Sequence, residues 1–155
     1  MSDWRQRVRD GLTRNIAVTS PTAADPDLRG RTYGIPYDQV WRAALRLASG
    51  RLRGWTLVDA DDYDGVIRAE VRSRLFRTVD DFVVRITLDS DGQTRVDARS
   101  SSRGSRGDFG ANARRLRRFF AALDEELAAS RPGTSRPAGH AARRPPPADR
   151  RHASH

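Results

Sequence analysis

The sequence predicts a small α+β domain, a two-layer sandwich in which two helices cover one face of an antiparallel sheet of four to five strands. Two observations support this fold class. The middle of the chain alternates apolar and polar residues, which is typical of strands with one buried face. Two other stretches, one before and one after it, repeat apolar residues at helical spacing. The predicted element order is β-α-β-β-β-β-α.

The first third of the chain predicts an arm, a strand and a helix. Residues 2–14 have the spacing of a short amphipathic helix, and residues 15–29 predict an extended arm. A strand is expected over 30–36. Asp38 is suited to cap the next helix, which should end near Gly50. The apolar stripe of that helix consists of Val40, Trp41, Ala44, Leu45, Leu47, Ala48 and Leu52.

Four strands and a final helix follow. The predicted strands cover residues 55–60, 63–74, 79–89 and 94–103. Asp108 is a favoured N-cap residue for the last helix. Its buried stripe consists of Phe109, Ala113, Leu116, Phe119, Phe120, Leu123 and Leu127. Its arginines are expected mainly off that stripe, and these are Arg114, Arg115, Arg117 and Arg118.

The composition divides the chain into three parts. Residues 1–29 form the predicted N-terminal arm, and residues 30–130 the single α+β domain. Residues 131–155 have almost no apolar side chain larger than Ala, so we expect a disordered Arg- and Pro-rich tail. That tail has six Arg and one Asp, a net +5 of the total charge of +9.

Several functional classes are disfavoured by residue usage. The absence of Cys excludes thiol nucleophiles and thiolate metal sites. His140, His152 and His155 all lie in the tail, which argues against Ser–His–Asp catalysis in the domain. No apolar run is long enough for a membrane helix, and the charged N-terminus does not resemble a signal peptide. A soluble cytoplasmic protein is therefore expected, without a cofactor or metal.

Three sequence blocks carry a resemblance. The segment NIAVTS at residues 15–20 is similar to an Asn-Cys-Val-Ser-Ser opening, with the Cys absent and one residue inserted. EVRSRLFRTVDDF at 70–82 is similar to a strand–turn–strand block with paired acids. RSSSRGSRGDFGANARR at 99–115 is similar to an Arg-Ser-x-Ser-Arg … Asp-x-Gly-x-Asn-x-x-Arg motif. Over roughly 15–127 the chain resembles the domain of unknown function 1499 family.

The resemblance implies a small protein of a bacterial and plastid family that has no assigned activity. It therefore adds little about chemistry. The missing Cys removes any role that this position has in relatives.

The densest group of polar side chains lies where the last strands meet the final helix. Serines, arginines and helix-terminal amides there are suited to an anionic or polar ligand. The same residues also suit a purely structural junction, with Asp108 capping the helix and Asn112 and Arg115 fastening the loop. The candidate ligand-binding residues are Arg72, Asp81, Arg99, Ser101, Arg103, Asp108, Asn112 and Arg115.

Within this group we expect an ion-pair network. Arg99, Arg103 and Arg115 should meet near the end of the sheet, neutralised by Asp81 and Asp108. At most one of the three arginines is then left for a ligand.

Two acidic motifs suggest other chemistry. Asp80 or Asp81 would be the base of a hydrolase or transferase, which is the alternative function. Adjacent residues of a strand point to opposite faces, however, and this argues against a carboxylate dyad. The run DADDYDG at 59–65 lacks the spacing of a calcium loop, so a solvated turn is expected.

Nucleic acid is the third candidate partner. The Arg-rich tail would neutralise phosphates without reading sequence. The predicted open face of the sheet has arginines but no stacking aromatic residues, so an RNA-recognition sheet is not supported. The preferred prediction is a non-catalytic binding or interaction module whose partner is an anionic ligand or a protein.

Overall fold

The architecture is a six-stranded antiparallel sheet with two helices on one face. The computed structural model describes residues 16–74, 77–103 and 109–131. Its strands are β1 (Ile16–Val18), β2 (Arg31–Tyr33), β3 (Trp55–Asp61), β4 (Val66–Arg72), β5 (Val79–Leu88) and β6 (Thr94–Ser102). Its helices are α1 (Tyr37–Arg46), extended by a π-helical turn (Leu47–Arg51), and α2 (Phe109–Ala129). The predicted fold class is confirmed, with one strand more than expected.

Strands β3 to β6 form a meander, so the sheet order is β1-β6-β5-β4-β3. The extra strand, β1, comes from the predicted arm. It pairs with the end of β6, and β2 pairs with the beginning of the same strand. Between them the chain leaves the sheet through a short 3-10 turn at Pro26–Leu28.

Alternation along the long strands places the core. On β5, Phe82, Val84 and Ile86 are buried, and the residues between them are half-buried on the other face. Trp55, Phe82 and Phe119 of α2 form an aromatic cluster with ring centroids 4.4 to 5.9 Å apart. Such aromatic residues contribute much of the buried apolar area. The sheet face opposite the helices, called the open face below, has no described helix packed on it.

The ends of α1 differ from the prediction. The helix begins at Tyr37 with Pro36 at its N-cap, so Asp38 lies in the first turn instead of capping it. There Asp38 pairs with Arg42 one turn later. The predicted end near Gly50 agrees with the structure, because this glycine has φ +112°, a left-handed conformation that favours Gly.

Three predictions lie outside the described residues. These are the helix over 2–14, the Asp108 cap and the tail, of which the structure describes only Arg131. The three-part division of the chain also stays a prediction.

Candidate functional site

The end of the open face holds a compact group of charged side chains around Asp81. Asp81 of β5 lies directly between Glu70 of β4 and Ser101 of β6 in the strand register. Two carboxylates in directly opposite cross-strand positions repel each other. Arg103, just after β6, reduces that repulsion by binding both. We call Glu70, Asp81 and Arg103 the open-face cluster.

Arg103 binds the two acids through different nitrogens. Its Nε donates to Asp81 Oδ1 and Oδ2 at 3.1 and 3.0 Å. Its Nη2 donates to Asp81 Oδ1 at 2.6 Å and to Glu70 Oε1 at 2.7 Å. Hydrogen bonds to Asp81 and then to Glu70 raise the pKa of the Arg103 guanidinium. The group is solvent-exposed, so its stabilising effect is small and screened by salt.

A second polar group lies directly beneath, on the face covered by α2. Asp80 is 2% exposed and forms an ion pair with Arg115 of α2. Arg115 Nη1 also donates to Asn112 Oδ1 at 3.0 Å. Burial of this kind requires paired charges, because an isolated ion in the core is strongly destabilising.

Two serines of β6 complete this group. Ser100 Oγ donates to Asn112 Oδ1 at 2.7 Å, and Asn112 Nδ2 donates to Ser102 Oγ at 3.0 Å. Ser100 and Asn112 are fully buried. The group thus joins the end of the sheet to the first turns of α2, and we call it the helix-side network. It consists of Asp80, Ser100, Ser102, Asn112 and Arg115.

The predicted network around Asp81 is therefore divided between two faces. Arg103 binds Asp81 as expected, but the expectation that Arg115 joins them is wrong. Arg115 pairs with Asp80 on the opposite side of the sheet. Asp108 lies outside the described residues. The divergence of Asp80 and Asp81 follows from strand alternation, and it keeps their carboxylates from acting together.

Arg99 differs from the other two arginines of the predicted network. It lies on the open face, directly opposite Val83 of β5 and Val18 of β1. Its Nε is buried and has no hydrogen-bond acceptor among the described residues. No described carboxylate forms an ion pair with it. Of the three arginines expected to meet, this one has no acid partner in the described part of the chain.

Arg72 and Ser101 occupy the edge of the same region. Ser101 lies opposite Asp81 and Ile16. Arg72 lies opposite Val79, two residues from the Glu70–Asp81 pair, and is exposed without an ion pair to a described residue. Both therefore border the open-face cluster without being bonded into it.

The neighbouring arginines of the open face have acid partners in two of three cases. Arg68 binds Asp59 at 2.9 Å, and Arg95 lies 3.2 Å from Asp89. Arg85 forms no ion pair with a described residue, although its charge acts on Asp97. Arg99 lies opposite Val83, and Arg85 is two residues further along β5. Arg85 and Arg99 are therefore diagonal neighbours, with Cβ atoms about 7 Å apart.

Asp97 shows how the arm modifies the open face. Thr19 Oγ1 donates to Asp97 Oδ1 at 3.2 Å. A Cβ on Gly30 would lie 2.3 Å from the same oxygen and 3.0 Å from the Val96 carbonyl oxygen, so a larger residue at position 30 would displace the Asp97 carboxylate. Burial raises the pKa of Asp97, partly opposed by the hydrogen bond from Thr19.

No metal centre is found: the described residues hold no group of three or more potential ligands. The acidic run at 59–65 forms the end of β3 and a turn. Asp61 Oδ1 accepts hydrogen bonds from the Tyr63 and Asp64 amides, both at 3.1 Å. The carboxylate is therefore used to build the turn, as the spacing predicts.

Four residues of the two groups were not predicted as partners of the candidate site residues. These are Glu70, Asp80, Ser100 and Ser102. The inward position of Ser100 was predictable from alternation, and the same alternation places Asp80 inward. A buried Asp requires a cation, and an arginine on α2 was the available source. The position of Glu70 opposite Asp81 depends on the length of the β4–β5 turn.

Together the fold and the two polar groups define a small α+β domain with an arginine- and serine-rich sheet end. The chain belongs to the family described as protein of unknown function (DUF1499), whose model matches residues 8–123. The family resemblance inferred from the sequence is thus confirmed. A comparison with curated proteins finds none that matches.

The described helices include none that is both long and apolar enough to cross a membrane. The cytoplasmic location expected from the sequence stays a prediction.

Proposed function

We propose that this domain is a non-catalytic binding module that holds an anionic group of its partner on the open face, at Arg99. The single observation behind the proposal is the contrast between Arg99 and the arginines around it. Arg68, Arg95 and Arg103 each bind a carboxylate of the sheet. Arg99 has no carboxylate partner among the described residues. Its buried Nε has no hydrogen-bond acceptor among them, and although the same is true of the Arg95 Nε, Arg95 has ion pairs with Asp89 and Asp97.

An uncompensated guanidinium on a central strand requires an explanation. Its Nε is shielded from water by the sheet surface, so the cost of leaving that donor unpaired is not offset by hydration. An oxyanion with two adjacent acceptor oxygens matches the fork of an arginine. A carboxylate and a phosphate share this chemistry.

Arg85 is the second cation suited to such a ligand. It is the diagonal neighbour of Arg99 across Val83, and among the described residues it has no ion pair either. Two arginines at about this spacing can hold opposite sides of one oxyanion. Asp97 lies directly opposite Arg85 and disfavours a highly charged ligand there.

The candidate catalytic acids support a binding role over an enzymatic one. A general base needs a free carboxylate within reach of its substrate. Asp81 accepts three hydrogen bonds from Arg103, and Asp80 is buried against Arg115. Both acids are therefore committed to structural pairs, which is the arrangement expected of a binder.

Thermal unfolding of the full chain with added ligand tests the proposal. The probes are inorganic phosphate and glutarate, each compared with chloride at equal ionic strength. A ligand that binds the native state stabilises it by RT ln(1 + [L]/Kd) and thereby raises the melting temperature. We expect a rise with at least one probe, and we expect Arg99→Gln to abolish it.

Arg68→Gln is the matched control, because Arg68 lies on the open face, as Arg99 does, but binds Asp59. It should retain the response. Equal responses of the three proteins, or none in the parent chain, would overturn the proposal. Binding to nucleic acid through residues 131–155 is a separate prediction, which truncation at Arg131 tests.

A further inference from the structure

The edge of the sheet formed by β3 has features of an unused interface. Among the described residues this strand pairs on one side only, with β4. Every residue from Thr56 to Asp61 is exposed, although the buried Trp55 begins the strand. Leu57 is 36% and Val58 58% exposed, so two large apolar side chains lie on this edge. An uncovered strand edge has unpaired backbone groups that can pair with another strand.

Charge is distributed unevenly along this edge. Arg51 and Arg53 lie just before β3, and the carboxylates of the 59–64 run lie at its end. At the basic end, Arg53 is exposed and forms no ion pair with a described residue. At the acidic end, Asp62 is likewise exposed, and its backbone carbonyl accepts a hydrogen bond from Tyr37.

We propose that β3 is a homodimer interface, in which a second copy of this chain pairs with it in antiparallel orientation across a two-fold axis. This arrangement brings the basic beginning of each strand to the acidic end of the other. The edge is therefore complementary to itself, which is the requirement for a two-fold interface. A parallel arrangement would bring like charges together and is disfavoured.

The sheet has a structural reason to stop at two copies. Its opposite edge is formed by β1 and β2, which are only three residues each. These short strands offer little edge for a further β3, so the contact closes instead of propagating. The bulge between Leu57 and Asp59 also limits the length of regular pairing.

The size of the contact predicts a weak dimer. A strand of seven residues spans about 23 Å, and its pairing buries less than the roughly 1,600 Å² of a standard stable interface. We therefore expect dissociation in the micromolar range or above. Sedimentation of the full chain from about 1 μM to about 1 mM covers the relevant affinities.

A charge exchange tests the orientation. Arg53→Asp and Asp62→Arg each place like charges together twice in the two-fold dimer, so each should weaken it by roughly tenfold. The double variant restores the opposite charges and should restore the dimer. Arg118→Asp is the matched control, because it makes the same charge change at an exposed position of α2.

Cross-linking gives an independent readout. The chain contains no Cys, so one introduced thiol reports on one position. Val58→Cys should form a disulfide-linked dimer under mild oxidation, since Val58 lies near the centre of β3. Leu88→Cys is equally exposed, at 58%, and should cross-link far more slowly.

A chain that stays monomeric over the whole concentration range overturns the proposal. So does a dimer that neither single charge reversal weakens, or that the double variant does not restore. Cross-linking at equal rates from positions 58 and 88 also contradicts it.

Discussion

Asp80 and Asp81 are adjacent, and each binds an arginine, but their surroundings are opposite. Asp80 is 2% exposed and faces α2, whereas the side chain of Asp81 is 43% exposed on the open face. The partner of Asp80 comes from a helix, and that of Asp81 from the residue just after the neighbouring strand β6. The pair in the core therefore holds two layers together, while the surface pair only balances charge within one layer.

Removing the buried acid should have the largest effect. Asp80→Asn keeps the shape of the side chain but removes the negative charge of the buried pair with Arg115. We expect a loss of about 3 kcal/mol in the free energy of unfolding. Urea denaturation measures it. A second variant, Asp80→Asn with Arg115→Gln, removes both charges and should be less destabilised than the two single changes together. A loss below about 1 kcal/mol for Asp80→Asn would contradict the claim that the buried pair holds the two layers together.

The same Asp-to-Asn change one residue later, at Asp81, should lower the free energy of unfolding much less. Asp81→Asn removes the exposed partner of Arg103 and also relieves the repulsion between Asp81 and Glu70. The expected change is within about 1 kcal/mol, and it should shrink as salt is added. A double-mutant cycle with Arg103→Gln measures the coupling. Destabilisation equal to that of Asp80→Asn would show that the open-face cluster has a structural role of its own.

The smallest expected effect is on how stability depends on pH, and it comes from two other carboxylates, Asp97 and Asp25. Burial raises the pKa of Asp97, whereas Arg117 and the Asp27 amide lower the pKa of Asp25. Carboxyl NMR titration should place Asp97 above 3.8 and Asp25 below it. The native state therefore binds more protons than the unfolded chain at Asp97 and fewer at Asp25.

The two acids consequently act on stability with opposite signs. As pH falls through the region above 3.8, Asp97 becomes protonated first in the native state, and its contribution to stability rises. Asp25 adds stability above 3.8 that is lost as pH falls further, through its lowered pKa. Asp97→Asn should remove the first effect and Asp25→Asn the second, as followed by urea denaturation at several pH values. The same pH profile in both variants would contradict these assignments.

The fold was largely predictable because it depends on periodicity. Alternation along β5 and β6 identified the buried face, including the inward position of Ser100. The pairing of β1 was not predictable, because a three-residue strand has too few positions to show a period. It is held as a strand by β6, not by its own sequence.

The site was less predictable because it depends on rotation and register. Arg115 was expected off the buried stripe of α2, but its side chain is 15% exposed. The buried charge of Asp80 and the amide oxygen of Asn112 help to make that position favourable. Likewise Glu70, and not Arg72, lies opposite Asp81 because of where the β4–β5 turn begins and ends. Local patterns do not contain this information.

The double pairing of β6 has a consequence for how the protein folds. Strands β3 to β6 are joined by short turns, so their contacts are local and close quickly. The arm is different: Ala17 pairs with Ser100, and Thr19 exchanges hydrogen bonds with Ala98, so each contact closes a loop of about eighty residues. We expect the meander to form first and the arm to dock last. In native-state hydrogen exchange the amides of β1 should then open at a lower free energy than those of β5, which makes the arm the first part of the sheet to separate from a protein that is otherwise still folded.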